Sequence, residues 1–338
     1  MTDSQLPRNS YQYSFLAIIV AASTLVIDRS QPRYNIAPVS SSGFVWLFNR
    51  LWRGNFVWGL KLNRHGFLMS TNASVVATSF PDLFAVRAEK AMRGTQTLKP
   101  ELANVKACVF DIFGTVVDWR SSVIAEAITW GKTKGLNINW VEFTDRWRGG
   151  YRPAMDKVRK GEIPWTNLDD LHRMILEDLL KQYKIEGLNE EEKVMCVHVW
   201  RRLKPWPDSV EGLTRLRKKC IISPMSNGNV ALMTNLSKFA GLPWDVILGS
   251  DIVRHYKPDR ELYMSAPFYL DLKPEEVMMC AAHFGDLHAA SSYGLRTGFI
   301  YRPNEFGGSG LSVPDKAKPD DFDVVSVSIV DLAQQMGA

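Results

Sequence analysis

Four short polar segments carry the groups of covalent carboxylate and acid–base chemistry: Asp111 with Thr115, Ser226 with Asn227, Lys257 with Pro258, and Asp286. A carboxylate can act as nucleophile or proton carrier, and an ammonium beside it keeps it ionised. Hydroxyl and amide groups add oriented hydrogen bonds. His283, three residues before Asp286, brings a ring whose ordinary pKa lies near neutrality. Singly, each segment has a plainer explanation. An Asp followed by Gly114 and Thr115 also starts a turn, and Ser226 and Asn227 also cap a helix.

Placement gives the set its meaning. The apolar run Ala107-Cys108-Val109-Phe110 suits a strand buried on both faces of a parallel sheet, and Asp111 stands at its carboxyl end, where such sheets present ligands. Gly114 lets the backbone turn closely around that carboxylate. Further strands are expected at residues 220–223, 246–248, 276–281 and 297–301, with helices between them. This alternation predicts an α/β fold with a doubly wound parallel sheet. The polar segments follow strand ends throughout.

Between the first and second strands, residues 121–203 carry helical spacing and no comparable alternation. Ile124, Ala127, Ile128 and Gly131 form one set; Leu171, Ile175, Leu179 and Tyr183 a second; Val194, Val197 and Trp200 a third. A helical insert there would cover the strand ends and exclude water. The expected organisation is an N-terminal extension over residues 1–98, a core over 99–120 and 204–338, and a helical cap over 121–203.

The chain has 338 residues, 46% hydrophobic and 23% charged, and a net charge of +5. The excess sits in residues 1–98, where ten Lys/Arg face four Asp/Glu; the remaining residues hold 31 against 32. The body therefore has no nucleic-acid footprint. The apolar run over residues 15–27 is shorter than a bilayer span. A basic, aromatic stretch over residues 44–58 could rest on a membrane surface, and residues 80–94 could form a helix. Met69 would make an alternative start. Cys108, Cys196, Cys220 and Cys280 lie far apart without metal-ligand spacing, as buried thiols of a reducing, cytoplasmic compartment do.

Taken together, the four segments resemble the haloacid dehalogenase superfamily over about residues 103–305. The resemblance implies its Rossmann-like core with an inserted helical cap. Superfamily phosphatases usually carry a second Asp two residues after the nucleophile, where this chain has Phe113, and an acidic pair spaced four apart, where Ala282 stands opposite Asp286. A phenyl ring donates no proton, and losing an oxygen ligand weakens a Mg²⁺ site. A Mg²⁺-dependent phosphatase is thus the alternative reading. A catalytically silent, membrane-associated protein is a third, supported only by the basic leader.

Closer similarity is to the L-specific 2-haloacid dehalogenases. It is carried by Phe110-Asp111-Ile112-Phe113-Gly114-Thr115, Trp147-Arg148, Met225-Ser226-Asn227-Gly228, and Val253-Arg254-His255-Tyr256-Lys257-Pro258-Asp259 with Tyr263. The resemblance implies that Asp111 attacks C2 of a short haloacid, expels halide and forms an ester, with no metal or cofactor. Lys257 would orient Asp111, while Arg148 and Asn227 would stabilise the departing halide. Ser226 and the N–H groups of Ile112 and Phe113 would bind the substrate carboxylate. Asp286, with Lys257, would position or activate the hydrolytic water, and Tyr263 would support Lys257 or line the pocket. A homodimer is also implied. Phe113 replaces a common Tyr, and Ala281-Ala282-His283 stands where Ser-Ser-Asn is expected. His283 is therefore either a replacement base or a ring bonded to a loop carbonyl.

Overall fold

The computed structural model describes residues 100–308 and 312–338, all within one unit, Lys90–Ala338. The expected extension, the apolar and basic stretches, the helix over residues 80–94 and Met69 lie outside the described residues.

In chain order the elements are β1 (Ala107–Phe110), β2 (Val117–Asp118), α1 (Trp119–Lys134), α2 (Trp140–Arg159), α3 (Leu168–Gln182) and α4 (Glu190–Val197). They continue with β3 (Lys204–Pro205), α5 (Ser209–Leu216), β4 (Ile221–Ser226), α6 (Val230–Ala240), β5 (Leu248–Gly249), α7 (Ser250–Val253), α8 (Arg260–Tyr263) and α9 (Ser265–Tyr269). The last are β6 (Val277–Ala281), α10 (Phe284–Ser292), β7 (Arg296–Ile300), β8 (Val324–Ser326) and α11 (Ile329–Gln335).

Six strands form one parallel sheet in the order β5-β4-β1-β6-β7-β8. β1 is central because it is apolar on both faces: Ala107 and Val109 enter one core, Cys108 and Phe110 the other. The chain moves outward from β1 to β4 and β5, then reverses to β6 on the opposite flank. Such a reversal opens a crevice at the strands' carboxyl ends, and Asp111 stands there.

β4 runs through Pro224 to Ser226, beyond the strand end expected at Ser223. Ile222 exchanges bonds with Asp245 on the β5 side (3.0 Å each), so Pro224, two residues on, faces that side too. β5 pairs only from Met225 onward, and the missing proline N–H breaks no ladder bond there. Neither β8 with α11 nor the small β2–β3 ribbon is marked in the sequence, because each strand is only two or three residues long.

The insert between β2 and β3 is helical as expected. Its second helix, α2, is absent from the three sets named above, yet Trp140, Phe143, Trp147, Tyr151 and Met155 form its buried stripe. These rings join Trp200 and His172 in an aromatic core continuous with one face of the sheet.

His172 is fully buried, stacked on Trp200 at 4.2 Å, and neither ring nitrogen has a hydrogen-bond partner among the described residues. Burial, reinforced by the Arg148 charge, holds its pKa well below the ordinary value of 6.5. The folded state keeps the ring neutral while the unfolded chain takes up a proton, so stability falls as pH drops below about 6.5. His172→Phe keeps the ring and removes that linkage. It is expected to add about 1–2 kcal/mol more at about pH 5 than at about pH 8, as measured by denaturant unfolding at the two pH values.

Candidate active site

The turn after β1 is fixed from several directions. Asp111 donates its N–H to Cys280 O (3.0 Å) on β6. Gly114 has φ +94°, and a Cβ there would lie 2.1 Å from Glu305 Oε1, so both conformation and space require glycine. The carbonyls of Gly114, Thr115 and Val116 accept from Trp206 Nε1 (2.9 Å), Arg302 Nε (2.8 Å) and Ser209 Oγ (2.7 Å). With those carbonyls occupied, the N–H groups of Ile112 and Phe113 have no acceptor among the described residues.

Four strand ends converge on Asp111. Thr115 Oγ1 accepts from the Ala282 N–H (2.9 Å), which directs its own proton to Asp111 Oδ2 (2.9 Å). Lys257 Nζ lies 3.2 Å from Asp111 Oδ1 and 2.6 Å from Asp286 Oδ2. Tyr263 donates to Asp286 Oδ1 (2.6 Å), and Asn227 Oδ1 accepts the Lys257 N–H (2.7 Å). His283 Nδ1 is 3.3 Å from Asp111 Oδ2, while its Nε2 is 2.9 Å from Glu305 Oε2. Glu305, only 3% exposed, also accepts from Trp119 Nε1 (3.3 Å).

The charges separate the two aspartates. Burial pushes the Asp111 carboxyl up, but the Lys257 ammonium and the His283 and Thr115 hydrogen bonds outweigh it and hold it well below the usual range. Asp286 moves up, chiefly by burial, with the Asp111 charge adding to it against Lys257. Burial opposes the Lys257 charge, yet Asp286 and Asp111 raise its pKa. For His283, burial is overcome by the bonds to Asp111 and Glu305, and its pKa is pushed up to about 10. The ring is thus an imidazolium between two carboxylates. It is neither bonded to a loop carbonyl nor, at rest, a free base.

Arg148 reaches the site from α2. Its guanidinium lies 4.2 Å from the Tyr151 ring centroid, 5.4 Å from Trp119 and 6.0 Å from Phe113, with no carboxylate partner among the described residues. Aromatic faces hold the cation in place and leave its N–H groups for an anion. Tyr151 from the insert and Asn227 from the core line the same cavity.

A cavity of about 480 Å³ is lined by Asp111, Phe113, Arg148, Asn227, Lys257, Tyr263, His283 and Asp286, among others. Thr115 is buried behind Asp111. Ser226 and Ile112 are buried and absent from the lining; the Ser226 hydroxyl accepts the Gly228 N–H (3.1 Å). Through that bond Ser226 shapes the turn that presents Asn227. Glu305, Tyr151 and Trp119 escaped the sequence reading. Glu305 follows the end of β7, and that position was the available signal.

A family model described as haloacid dehalogenase-like hydrolase matches residues 105–290, more than half of the chain. An (S)-2-haloacid dehalogenase 4A from Burkholderia cepacia is 28% identical over 211 residues, covering 59% of this chain and 84% of that protein. The crystal structure of an L-2-haloacid dehalogenase shares 44% identity, covers 69% of this chain and 99% of its own, and has a TM-score of 0.66. That of a defluorinating L-2-haloacid dehalogenase shares 42%, covers 72% and 99%, and has a TM-score of 0.67. With Asp111, Lys257 and Asp286 joined at the strand ends of a doubly wound sheet, the chain belongs to the haloacid dehalogenase-like hydrolases.

Proposed function

We propose that the protein hydrolyses short L-2-haloacids to 2-hydroxy acids through an ester on Asp111. The observation that carries this reading is the Asp111 carboxylate, held ionised by Lys257 and His283 and sharing a cavity with the aromatic-caged Arg148. Asp111 attacks C2, the carbon–halogen bond breaks with its electron pair on the halide, and Arg148 and Asn227 receive that charge where it develops. The free N–H groups of Ile112 and Phe113 hold the substrate carboxylate.

Ester formation erases the charge of Asp111, one of the two carboxylates that keep His283 protonated. The ring then releases its proton to solvent. Nε2 stays on Glu305, and Nδ1 becomes the base that takes a proton from the water attacking the Asp111 carbonyl. Thr115 donates to the oxyanion. Collapse frees the hydroxy acid and restores the Asp111 carboxylate beside the imidazolium, for a net release of one proton and one halide. Asp286 and Tyr263 serve as positioning residues, holding the Lys257 ammonium.

That ammonium already fills the space between the two carboxylates, which supports a reaction without a metal. Phe113 is packed on Tyr151 and Trp200, at a position where a phosphatase would need an acid. Halide release from L-2-chloropropionate in excess chelator is the expected result, and fluoroacetate belongs in the panel because one relative is a defluorinating enzyme. One turnover in ¹⁸O-water should place label in the Asp111 peptide. Unlabelled Asp111 after turnover would exclude the ester, and failure to release halide from any short haloacid would sink the proposal.

A further inference from the structure

The cavity is larger than a short haloacid needs. A six-heavy-atom acid displaces roughly the volume of four waters, about 120 Å³, against a cavity of about 480 Å³. The additional lining comes largely from α2 beyond Arg148: Tyr151, Arg152, Met155 and Asp156, with Pro258 from the core. Arg152 stands one helical turn after Arg148, so the two share a helix face with backbones about 6 Å apart along the axis.

Charge balance isolates these two arginines. Among the charged groups lining the cavity, Lys257 is shared by Asp111 and Asp286, His283 by Asp111 and Glu305, and Asp156 is bound to Arg159 at 2.9 Å. Arg148 and Arg152 have no carboxylate partner among the described residues. Arg148 is packed into its aromatic cage at the inner end, whereas Arg152 is exposed, on the solvent side. A monocarboxylate haloacid uses the backbone N–H groups for its carboxylate and Arg148 for its halide, which leaves Arg152 unused.

We propose that Arg152 is the subsite for a second, remote anionic group, and that the substrates include 2-halodicarboxylic acids. This rests on the dehalogenase reading above. The bonds made and broken are unchanged: Asp111 displaces halide from C2, water cleaves the ester, and the distal carboxylate at C4 remains intact on Arg152. A guanidinium–carboxylate contact at a cavity mouth acts mainly in binding, so its signature lies in KM.

The test compares L-2-chlorosuccinate with L-2-chlorobutyrate, which has the same chain length and no distal charge, using wild type, Arg152→Gln and Arg152→Lys. Wild type is expected to prefer chlorosuccinate in kcat/KM. Arg152→Gln should reduce that preference about tenfold, chiefly through KM, and Arg152→Lys should retain most of it. Two results would overturn the inference while leaving the dehalogenase reading intact: halide release from chlorobutyrate and none from chlorosuccinate, or an equal loss on both substrates in Arg152→Gln, the mark of general anion steering. Release from neither, nor from L-2-chloropropionate, would overturn both.

Discussion

Asp111→Asn is expected to lower halide release from L-2-chloropropionate by on the order of 10⁴-fold or more, the scale seen when a covalent nucleophile is removed. The amide is close in size to the carboxylate and can still accept from Thr115, but its oxygen is a poor nucleophile. The variant should remain folded because both cations in contact with Asp111, Lys257 and His283, have a second partner. Lys257 keeps Asp286 at 2.6 Å, and His283 keeps Glu305 at 2.9 Å. Thermal unfolding provides the control. Turnover near the wild-type rate in a folded Asp111→Asn variant would show that the side chain is not the nucleophile.

Glu305→Gln should separate the two halves of the reaction. In the proposed mechanism displacement of halide depends on Asp111 and Arg148, with which Glu305 makes no bond among the described residues, and hydrolysis depends on His283 as a base oriented and made basic by the Glu305 charge. The amide can still hydrogen-bond the ring but lacks that charge. Halide should therefore appear as a rapid burst of about one equivalent per site, followed by steady turnover slowed about 10²–10³-fold, the scale of a general base. The quenched enzyme should carry the acyl group on the Asp111 peptide. The burst itself reports a folded site, which matters because Glu305 also receives Trp119 and lies against Gly114. A slowed steady state with no burst and no adduct would mean that Glu305 acts before ester formation, overturning its assignment to the hydrolytic half.

The residues legible in the sequence share one property: local order announces them. Asp111 and His283 directly follow short apolar runs, Asn227 lies in the polar turn after one, and a parallel sheet places such positions at one edge whatever the intervening chain does. Lys257 lies between two short helices, α7 and α8, farther from its strand, and its role was read through resemblance over the surrounding block. Arg148 needed the same help, since its helix carries Pro153 and many charges among the buried aromatics. For Ser226, type and position suit a turn and ligand binding equally well, whereas its burial and its bond to Gly228 depend on how tightly the turn closes.

The sequence by itself determined the sheet and the helical insert, because burial patterns and strand ends are local properties of the chain. Only the tertiary structure decided the state of His283 and the partners of Arg148. Glu305 reaches His283 from a loop 22 residues downstream, and the aromatic cage is assembled from Phe113, Trp119 and Tyr151 on three separate segments. Protonation and cation binding depend on distances through space and on burial, which residue spacing does not encode.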